Sequence, residues 1–146
     1  MTTIAYKHGV IAYDSRLTRA DEVISDSANK MVSSGDSRLF WAGRTADGPV
    51  VLDALIAGSK VCDAGDGSGI AIINGTVFAA GLIDKELWKL PISTFENVAA
   101  FGSGADYAIG AMDMGATALE AVKIAARRDV FTGGKIRTVK YKLGEP

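Results

Sequence analysis

The chain has 146 residues, a net charge of −1 and a single cysteine, Cys62. This length suits one compact domain over residues 1–146, and the near-neutral charge supplies no strong field toward nucleic acid or an anionic membrane. One cysteine excludes an internal disulfide, and the longest apolar runs are too short to span a bilayer. The N-terminus lacks a basic stretch followed by an apolar run, so we expect a cytoplasmic protein.

Hairpin signals dominate the first forty residues. Strands are predicted over Thr2–Lys7 and Val10–Asp14, joined by the short connection His8-Gly9. A second strand pair, Ser25–Val32 and Arg38–Ala42, is predicted around a turn-rich segment of Ser, Gly and Asp residues.

The next segment changes to helical spacing of its apolar residues. Asp47 is predicted to be the N-cap of a helix, Pro49 suits its first turn and Gly58 ends it. A loop over Cys62–Gly69 follows, and then a hairpin that turns at Asn74-Gly75. Asn-Gly between two apolar runs is the strongest local hairpin signal in the chain.

The last fifty residues predict one strand, two helices and a closing strand. The second helix opens with the capping box Thr117-x-x-Glu120. Hairpin-linked strands with grouped helices favour an α+β domain with antiparallel sheets over a parallel doubly wound sheet. The predicted elements are Val98–Phe101, Ala105–Met114, Ala118–Arg128 and Ile136–Lys142.

Several kinds of site are disfavoured by the residues present. His8 is the only histidine and falls in a predicted turn, so a Ser-His-Asp or Cys-His nucleophile is unsupported. Zinc would lack nitrogen and sulfur ligands, and we expect neither a bound metal nor an organic cofactor. A basic run on the last strand is typical of a charged sheet edge rather than of a nucleic-acid surface. That run consists of Lys135, Arg137, Lys140 and Lys142.

The N-terminus remains as a candidate nucleophile. Met1 followed by the small residue Thr2 favours removal of the methionine, which would expose a threonine with a free α-amine. A threonine hydroxyl needs a base within hydrogen-bond reach, and an α-amine with a reference pKa of about 7.7–8.0 can serve. Many unrelated chains begin with Met-Thr, so this signal alone is weak.

Five blocks, in order along nearly the whole chain, raise the weight of that signal. Together they resemble the catalytic β subunits of proteasomes and the bacterial HslV peptidase, which are N-terminal-threonine hydrolases. The blocks are Thr2–Thr18 (TTIAYKHGVIAYDSRLT), Ala28–Met31 (ANKM), Phe40–Asp47 (FWAGRTAD), Gly102–Gly115 (GSGADYAIGAMDMG) and Arg128–Gly134 (RDVFTGG).

The resemblance implies a four-layer αββα sandwich, in which two antiparallel sheets lie between helical layers, and it implies roles for particular residues. Thr2 would be the nucleophile, Lys30 would keep its amine deprotonated, and Asp14 would hold Lys30. Gly43 would donate its backbone N–H to the oxyanion. The residues expected to orient the terminal amine are Ser103, Asp129 and Thr132.

Simpler interpretations stay open for these residues. Asp14 and Lys30 could form a plain ion pair, Ser103 could cap a helix, and Thr132 could be an ordinary turn residue. Asp129 could merely end a helix, although an acid there opposes the helix macrodipole.

The resemblance also implies a first specificity pocket. Trp41 is large for such a position, which predicts a shallow pocket that favours small side chains; the alternative is that Trp41 packs in the core. The residues expected to line the pocket are Leu17, Ala28, Val32, Trp41 and Thr45.

These implications predict a threonine-type endopeptidase that acts on peptides or unfolded proteins. A homo-oligomeric ring and an ATP-dependent unfoldase partner are implied by the family; no nucleic-acid or membrane partner is expected. Two alternatives remain, a non-catalytic ring subunit of the same fold and an amidase that cleaves a small amide. The chain is shorter than the family pattern, because Cys62–Gly69 leads directly into a hairpin where a second long helix is expected. One helical layer is therefore predicted to be truncated.

Overall fold

The computed structural model describes residues 2–141, which form eleven strands, three α-helices and two short 3-10 helices. The strands are β1 (Thr3–Lys7), β2 (Val10–Tyr13), β3 (Leu17–Arg19), β4 (Glu22–Ser25), β5 (Met31–Ser34), β6 (Ser37–Ala42), β7 (Gly67–Ile73), β8 (Thr76–Ile83), β9 (Glu86–Pro91), β10 (Val98–Gly102) and β11 (Arg137–Lys140). The helices are α1 (Gly48–Ala57), α2 (Ala105–Asp113) and α3 (Ala118–Arg128), with 3-10 turns at Thr45–Asp47 and Ile92–Phe95.

All strand pairs are antiparallel, and the strands form two large sheets and one small hairpin. The four-stranded sheet has the order β10-β1-β2-β11, and the five-stranded sheet has the order β5-β6-β7-β8-β9. Within residues 2–141, strands β3 and β4 pair only with each other. The predicted α+β class with antiparallel sheets is therefore confirmed.

The largest apolar cluster takes its side chains from both large sheets. Ile4 and Ile11 of the four-stranded sheet join Phe40 and Ile70 of the five-stranded sheet, and all four are at most 1% exposed. The ring of Tyr13 meets that of Phe40 edge-on, with 5.2 Å between centroids. Because side chains alternate between the faces of a strand, the neighbouring residues of each strand point to the opposite face of their sheet.

Those opposite faces are covered by helices. The five-stranded sheet packs large side chains, among them Leu39 and Trp41, against Val51, Leu52 and Leu55 of α1. The outer face of the four-stranded sheet packs small side chains instead. Its cluster joins Ala5 and Ala12 to residues of α2 and α3, namely Ala108, Met112, Ala118, Ala121 and Val122.

Two hairpins predicted from turn residues are confirmed. His8 and Gly9 both have positive φ, as do Asn74 and Gly75, which is the backbone of a two-residue type I′ turn. The helix over Ala118–Arg128 is confirmed with its capping box, and Gly58 ends α1 in the left-handed conformation.

The strand predicted over Ser25–Val32 is wrong in part, because the segment is interrupted. Strand β4 ends at Ser25 and β5 starts only at Met31. Between them, the Ser25 hydroxyl accepts a hydrogen bond from the backbone N–H of Ser27, and the Asn29 side chain accepts one from that of Met31. Such local side-chain acceptors compete with strand pairing.

Other boundaries also differ from the prediction. Asp47 occupies the N-cap position of α1 without capping it, because its carboxylate accepts from the backbone N–H of Gly65 at 3.0 Å. The hairpin between β8 and β9 was not predicted from the sequence. Its turn, Asp84-Lys85, contains no glycine although both residues have positive φ. The closing strand ends at Lys140, and the predicted end at Lys142 lies outside the described residues.

Between α1 and α2, the described chain contains no α-helix. Residues 58–66 connect α1 to β7 without a helix, as the direct run of Cys62–Gly69 into a hairpin predicts. None of the three helices in residues 2–141 has the length and apolar character that crossing a membrane requires.

Candidate active site

Thr2 is held beside the end of strand β10. Thr2 is only 4% exposed, and its carbonyl accepts a hydrogen bond from the backbone N–H of Ser103 at 3.0 Å. Gly102 lies beside it with a φ of +99°, and a Cβ there would fall 1.6 Å from the Thr2 carbonyl oxygen. Only glycine combines this backbone conformation with so close an approach.

Asp14 follows strand β2 and is completely buried. The register of β1 and β2 brings it beside Thr3, whose backbone N–H donates to Asp14 Oδ1 at 3.1 Å. Its other oxygen, Oδ2, accepts from the backbone N–H groups of Arg16 at 3.3 Å and Gly133 at 3.0 Å. Backbone donors from three separate segments therefore fix this carboxylate in place.

Lys30 completes the environment of Asp14 from the other sheet. It precedes β5 of the five-stranded sheet, and its ammonium donates to Asp14 Oδ1 at 3.0 Å. Its side chain is 5% exposed. Burial lowers the pKa of Lys30 below its ordinary value, and the Asp14 carboxylate, which raises that pKa, only partly offsets the effect. The pair is a buried ion pair that joins the two sheets.

A second acid, Asp129, lies where α3 ends. Its Oδ2 accepts from the hydroxyls of Ser103 at 2.5 Å and Thr132 at 2.6 Å, and its Oδ1 accepts from the Phe131 backbone N–H at 3.2 Å. Burial raises the pKa of Asp129, but these hydrogen bonds outweigh it and hold that pKa below its usual value. Ser103 does not cap α2; Gly104 occupies the cap position.

Thr3 connects the two acids, and this role was missed by sequence reasoning. Its backbone N–H binds Asp14, and its hydroxyl lies 2.6 Å from the Thr132 hydroxyl. Thr132 has one hydroxyl proton and donates it to Asp129, so Thr3 is the donor in the Thr3–Thr132 hydrogen bond. Thr3 is fully buried, and a Cβ on Gly104 would lie 2.2 Å from its hydroxyl oxygen. The glycine thus makes room for this hydrogen bond.

A cavity of about 500 Å³ opens in front of this arrangement. Of the residues predicted to carry chemistry, Thr2, Lys30 and Gly43 line it, and of the predicted pocket residues, Leu17 and Thr45 do. The other residues around it are Arg16, Thr18, Ala20, Arg44, Ala46 and Phe131. Thr2 and Lys30 therefore face one space, although they come from different sheets.

The remaining predicted pocket residues do not line this cavity. Trp41 packs in the cluster beneath α1, in agreement with the alternative that it belongs to the core. Val32 faces the same side, and its methyl carbon would lie 2.8 Å from a Cβ on Gly48. Ala28 does not line the cavity either, and its backbone N–H donates to the Ser15 carbonyl. Trp41 thus supplies no wall for a shallow pocket here.

Trp41 nevertheless contacts the candidate site from behind. A Cβ on Gly43 would lie 2.6 Å from the indole Nε1, so the ring covers the inner side of this glycine. The indole N–H is buried and has no acceptor within the described residues. Any larger residue at position 43 would have to displace the tryptophan.

No group of three or more His, Cys, Asp or Glu side chains that could bind a metal ion occurs within residues 2–141. The polar side chains linked to the start of β1 are instead hydroxyls, carboxylates and one ammonium. These groups can take up, orient and transfer protons.

The structure is similar to that of Thiobacillus denitrificans BPH in complex with epoxomicin, with a TM-score of 0.65 and 18% sequence identity. It is similar to that of Thiobacillus denitrificans BPH alone, with a TM-score of 0.64 and 18% identity. Each comparison covers 99% of this chain and 99% of the other. No protein-family model matches the sequence, and no curated protein matches it. At this level of identity the likeness shows a shared fold.

Proposed function

We propose that this chain is a threonine-type endopeptidase whose nucleophile is Thr2 once Met1 has been removed. The observation that carries the proposal is the convergence of Thr2, Lys30 and Gly43 on one cavity, with Asp14 paired to Lys30 behind them. Asp129 and its hydroxyl partners are linked to the start of β1 by the Thr3–Thr132 hydrogen bond and by the Ser103 backbone N–H, which donates to the Thr2 carbonyl. An ion pair that served stability alone would not need a threonine terminus beside an open cavity.

Removal of Met1 is chemically required, because an amide nitrogen cannot accept a proton at neutral pH. Once free, the α-amine of Thr2 is the base for its own hydroxyl. The positive charge of Lys30 disfavours a second ammonium nearby and so keeps more of the amine deprotonated. Asp14 holds Lys30 at the cavity.

The reaction follows from these placements. The Thr2 hydroxyl oxygen bonds to the substrate carbonyl carbon while its proton passes to the α-amine, and the backbone N–H of Gly43 stabilises the resulting oxyanion. Collapse of this intermediate breaks the C–N bond, and the leaving amine takes the proton from the α-ammonium. Water then attacks the ester with the amine as base, which releases the acid and restores Thr2.

We further propose that the elements form the four-layer αββα arrangement of N-terminal nucleophile hydrolases. The three apolar clusters support this, since one joins the two large sheets and the others join each sheet to helices on its outer side. Thiobacillus denitrificans BPH has been seen with epoxomicin bound, and we extend the capacity to bind this peptide epoxyketone to the present chain.

Intact mass measurement followed by epoxomicin labelling tests the proposal. We expect protein that has lost Met1 to form one covalent adduct, which peptide mapping places on Thr2, and to hydrolyse fluorogenic peptides. Thr2→Ala should lose both the adduct and the hydrolysis. Thr76→Ala, the same substitution at an exposed position on β8, is the matched control and should keep both.

Correctly processed protein that forms no adduct and cleaves no peptide would favour the structural ring subunit. Hydrolysis that does not improve as the peptide lengthens would favour the small-amide amidase. Assembly into a homo-oligomeric ring and docking of an ATP-driven unfoldase stay predictions; the mass of the processed protein in size-exclusion light scattering tests the ring.

A further inference from the structure

The cavity in front of Thr2 has an uneven distribution of charge. Three of the residues that line it are cationic, namely Arg16, Lys30 and Arg44. Among the described residues around it there is no aspartate or glutamate. A cavity with charges of one sign selects ligands of the other sign, provided that its own charges are not already neutralised.

Two of the three cations already pair with a carboxylate that does not line the cavity. The Lys30 ammonium binds Asp14 in the buried pair described above. The Arg16 guanidinium donates Nε to Asp26 Oδ1 at 2.8 Å and Nη2 to Asp26 Oδ2 at 3.2 Å, a two-point pair. Its remaining nitrogen, Nη1, donates to the Val130 carbonyl at 3.0 Å. Arg16 therefore has little capacity left for a ligand.

Arg44 differs from both. It is exposed, its backbone is extended, and it directly follows Gly43. No carboxylate within residues 2–141 lies within ion-pair distance of its guanidinium. The nearest acid along the chain, Asp47, accepts from the backbone of Gly65. Arg44 thus brings to the rim, next to the glycine proposed to hold the oxyanion, a positive charge that has no contact ion pair within residues 2–141, although the Asp47 carboxylate lies near its side-chain stem.

We propose that Arg44 makes the cleft selective for substrates that carry a carboxylate close to the scissile bond. The inference rests on the proposed peptidase function and adds a substrate class to it. A guanidinium offers a planar pair of N–H donors that fits both oxygens of a carboxylate. Apolar residues on the rest of the wall, Leu17, Ala20 and Phe131, suit the hydrocarbon part of such a ligand. A glutamate or aspartate side chain and a peptide's terminal carboxylate share this chemistry.

Matched peptides measure the selectivity. One fluorogenic peptide is made with Glu, Gln or Lys at each position flanking the cleaved bond in turn, and kcat/KM is compared within each enzyme. Since ion pairs in contact with water are weak, we expect Glu to exceed Gln by roughly two- to fivefold at one position. The preference should shrink as salt is added.

Variants assign the preference to Arg44. In Arg44→Gln, kcat/KM for the Glu peptide divided by that for the Gln peptide should fall to about one. In Arg44→Glu, the Lys peptide should have a higher kcat/KM than the Glu peptide. Arg127→Gln removes an exposed arginine on α3 that does not line the cavity, and its ratio should match that of the parent. Thermal unfolding of each variant shows that it is folded.

Two further experiments identify which carboxylate is recognised and test recognition independently of peptide hydrolysis. Peptides with free and amidated C-termini show whether the terminal carboxylate or the side chain is recognised; a preference for either supports the proposal. Fluorescence anisotropy measures the binding of the Glu and Gln peptides to Thr2→Ala, and so gives the ratio of their affinities without catalysis. The inference is overturned if the active parent protein hydrolyses the Glu and Gln peptides equally well, or if a preference for Glu survives in Arg44→Gln. Either result leaves the peptidase proposal intact. Absence of epoxomicin labelling overturns the peptidase, whereas the anisotropy ratio still decides the role of Arg44.

Discussion

Two carboxylates flank the start of strand β1, and their surroundings differ in kind. Asp14 is completely buried and, within the described residues, accepts hydrogen bonds only from N–H groups, of which one belongs to an ammonium. Asp129 is partly exposed and accepts mainly from hydroxyls. The charge of Asp14 is balanced by an ion partner in direct contact, whereas within residues 2–141 Asp129 forms no ion pair and is stabilised chiefly by hydrogen bonds.

This difference separates two tasks. Backbone N–H groups are fixed by the fold, so the position of Asp14, and with it that of Lys30, is determined by both sheets. Hydroxyls rotate, and each carries a single proton, so the partners of Asp129 can adjust to the protonation of a neighbouring group. We infer that Asp14 holds the site rigid, whereas Asp129 adjusts its hydrogen bonding.

The largest effect should come from Asp14→Asn. It leaves the Lys30 ammonium buried without its anion, and breaking such a buried pair typically costs about 3–5 kcal/mol of unfolding free energy. Urea denaturation measures the loss, and peptide hydrolysis should disappear with it.

The control for this prediction is Asp26→Asn, which breaks the exposed ion pair with Arg16 and should cost much less. Combining Asp14→Asn with Lys30→Met should recover part of the lost stability but none of the hydrolysis. Equal losses in the two single variants would show that burial of Asp14 is unimportant.

A smaller effect is expected from Thr3→Val, which keeps the branched shape and the backbone bond to Asp14 but removes the hydroxyl that donates to Thr132. Losing one buried hydrogen bond should cost about 1 kcal/mol in stability. The loosened Thr132–Asp129 contact should lower kcat roughly tenfold, equivalent to about 1.4 kcal/mol of barrier, with little change in KM.

Thr3→Ser is the matched variant, because it restores the hydroxyl and should restore most of kcat. A fully active valine variant, or a serine variant as slow as valine, would remove Thr3 from the mechanism.

The smallest effect concerns pH. Hydrogen bonds hold the pKa of Asp129 below its unfolded value, so its contribution to stability is complete above about pH 4. That contribution is lost as the pH falls through the lower pKa of the folded state. Urea denaturation between pH 2 and 6 should show a shallower acid loss for Asp129→Asn than for the parent. Parallel curves would mean that the hydrogen bonds do not favour the ionised acid.

Local turn chemistry made much of the fold readable from the sequence. His8-Gly9 and Asn74-Gly75 were predicted because glycine and asparagine tolerate positive φ, and both turns are present. Asp84-Lys85 adopts the same backbone without a glycine, so the strand that follows it left no signal. The residues between Ser25 and Met31 looked extended, but side-chain acceptors interrupt the strand.

The site divides in the same way. Thr2, Asp14, Lys30, Ser103, Asp129 and Thr132 were predicted by resemblance to known motifs, and the fold brings all six to the start of the chain. Thr3 was missed because its contribution depends on hydrogen-bond direction, which no spacing rule reveals. Trp41 was assigned to the pocket by position, whereas the alternation of β6 turns it toward α1.

The hydrogen bond between Thr3 and Thr132 joins residues 129 positions apart. We expect so long a loop to close late in folding, when the intervening elements already reduce its entropic cost. If the proposed function is right, an incompletely folded chain would lack the hydrogen bonds from Thr3 to Thr132 and from Thr132 to Asp129 beside its nucleophile. In the proposed enzyme, peptide hydrolysis should return during refolding only with the last structural phase, so that only completely folded chains are active.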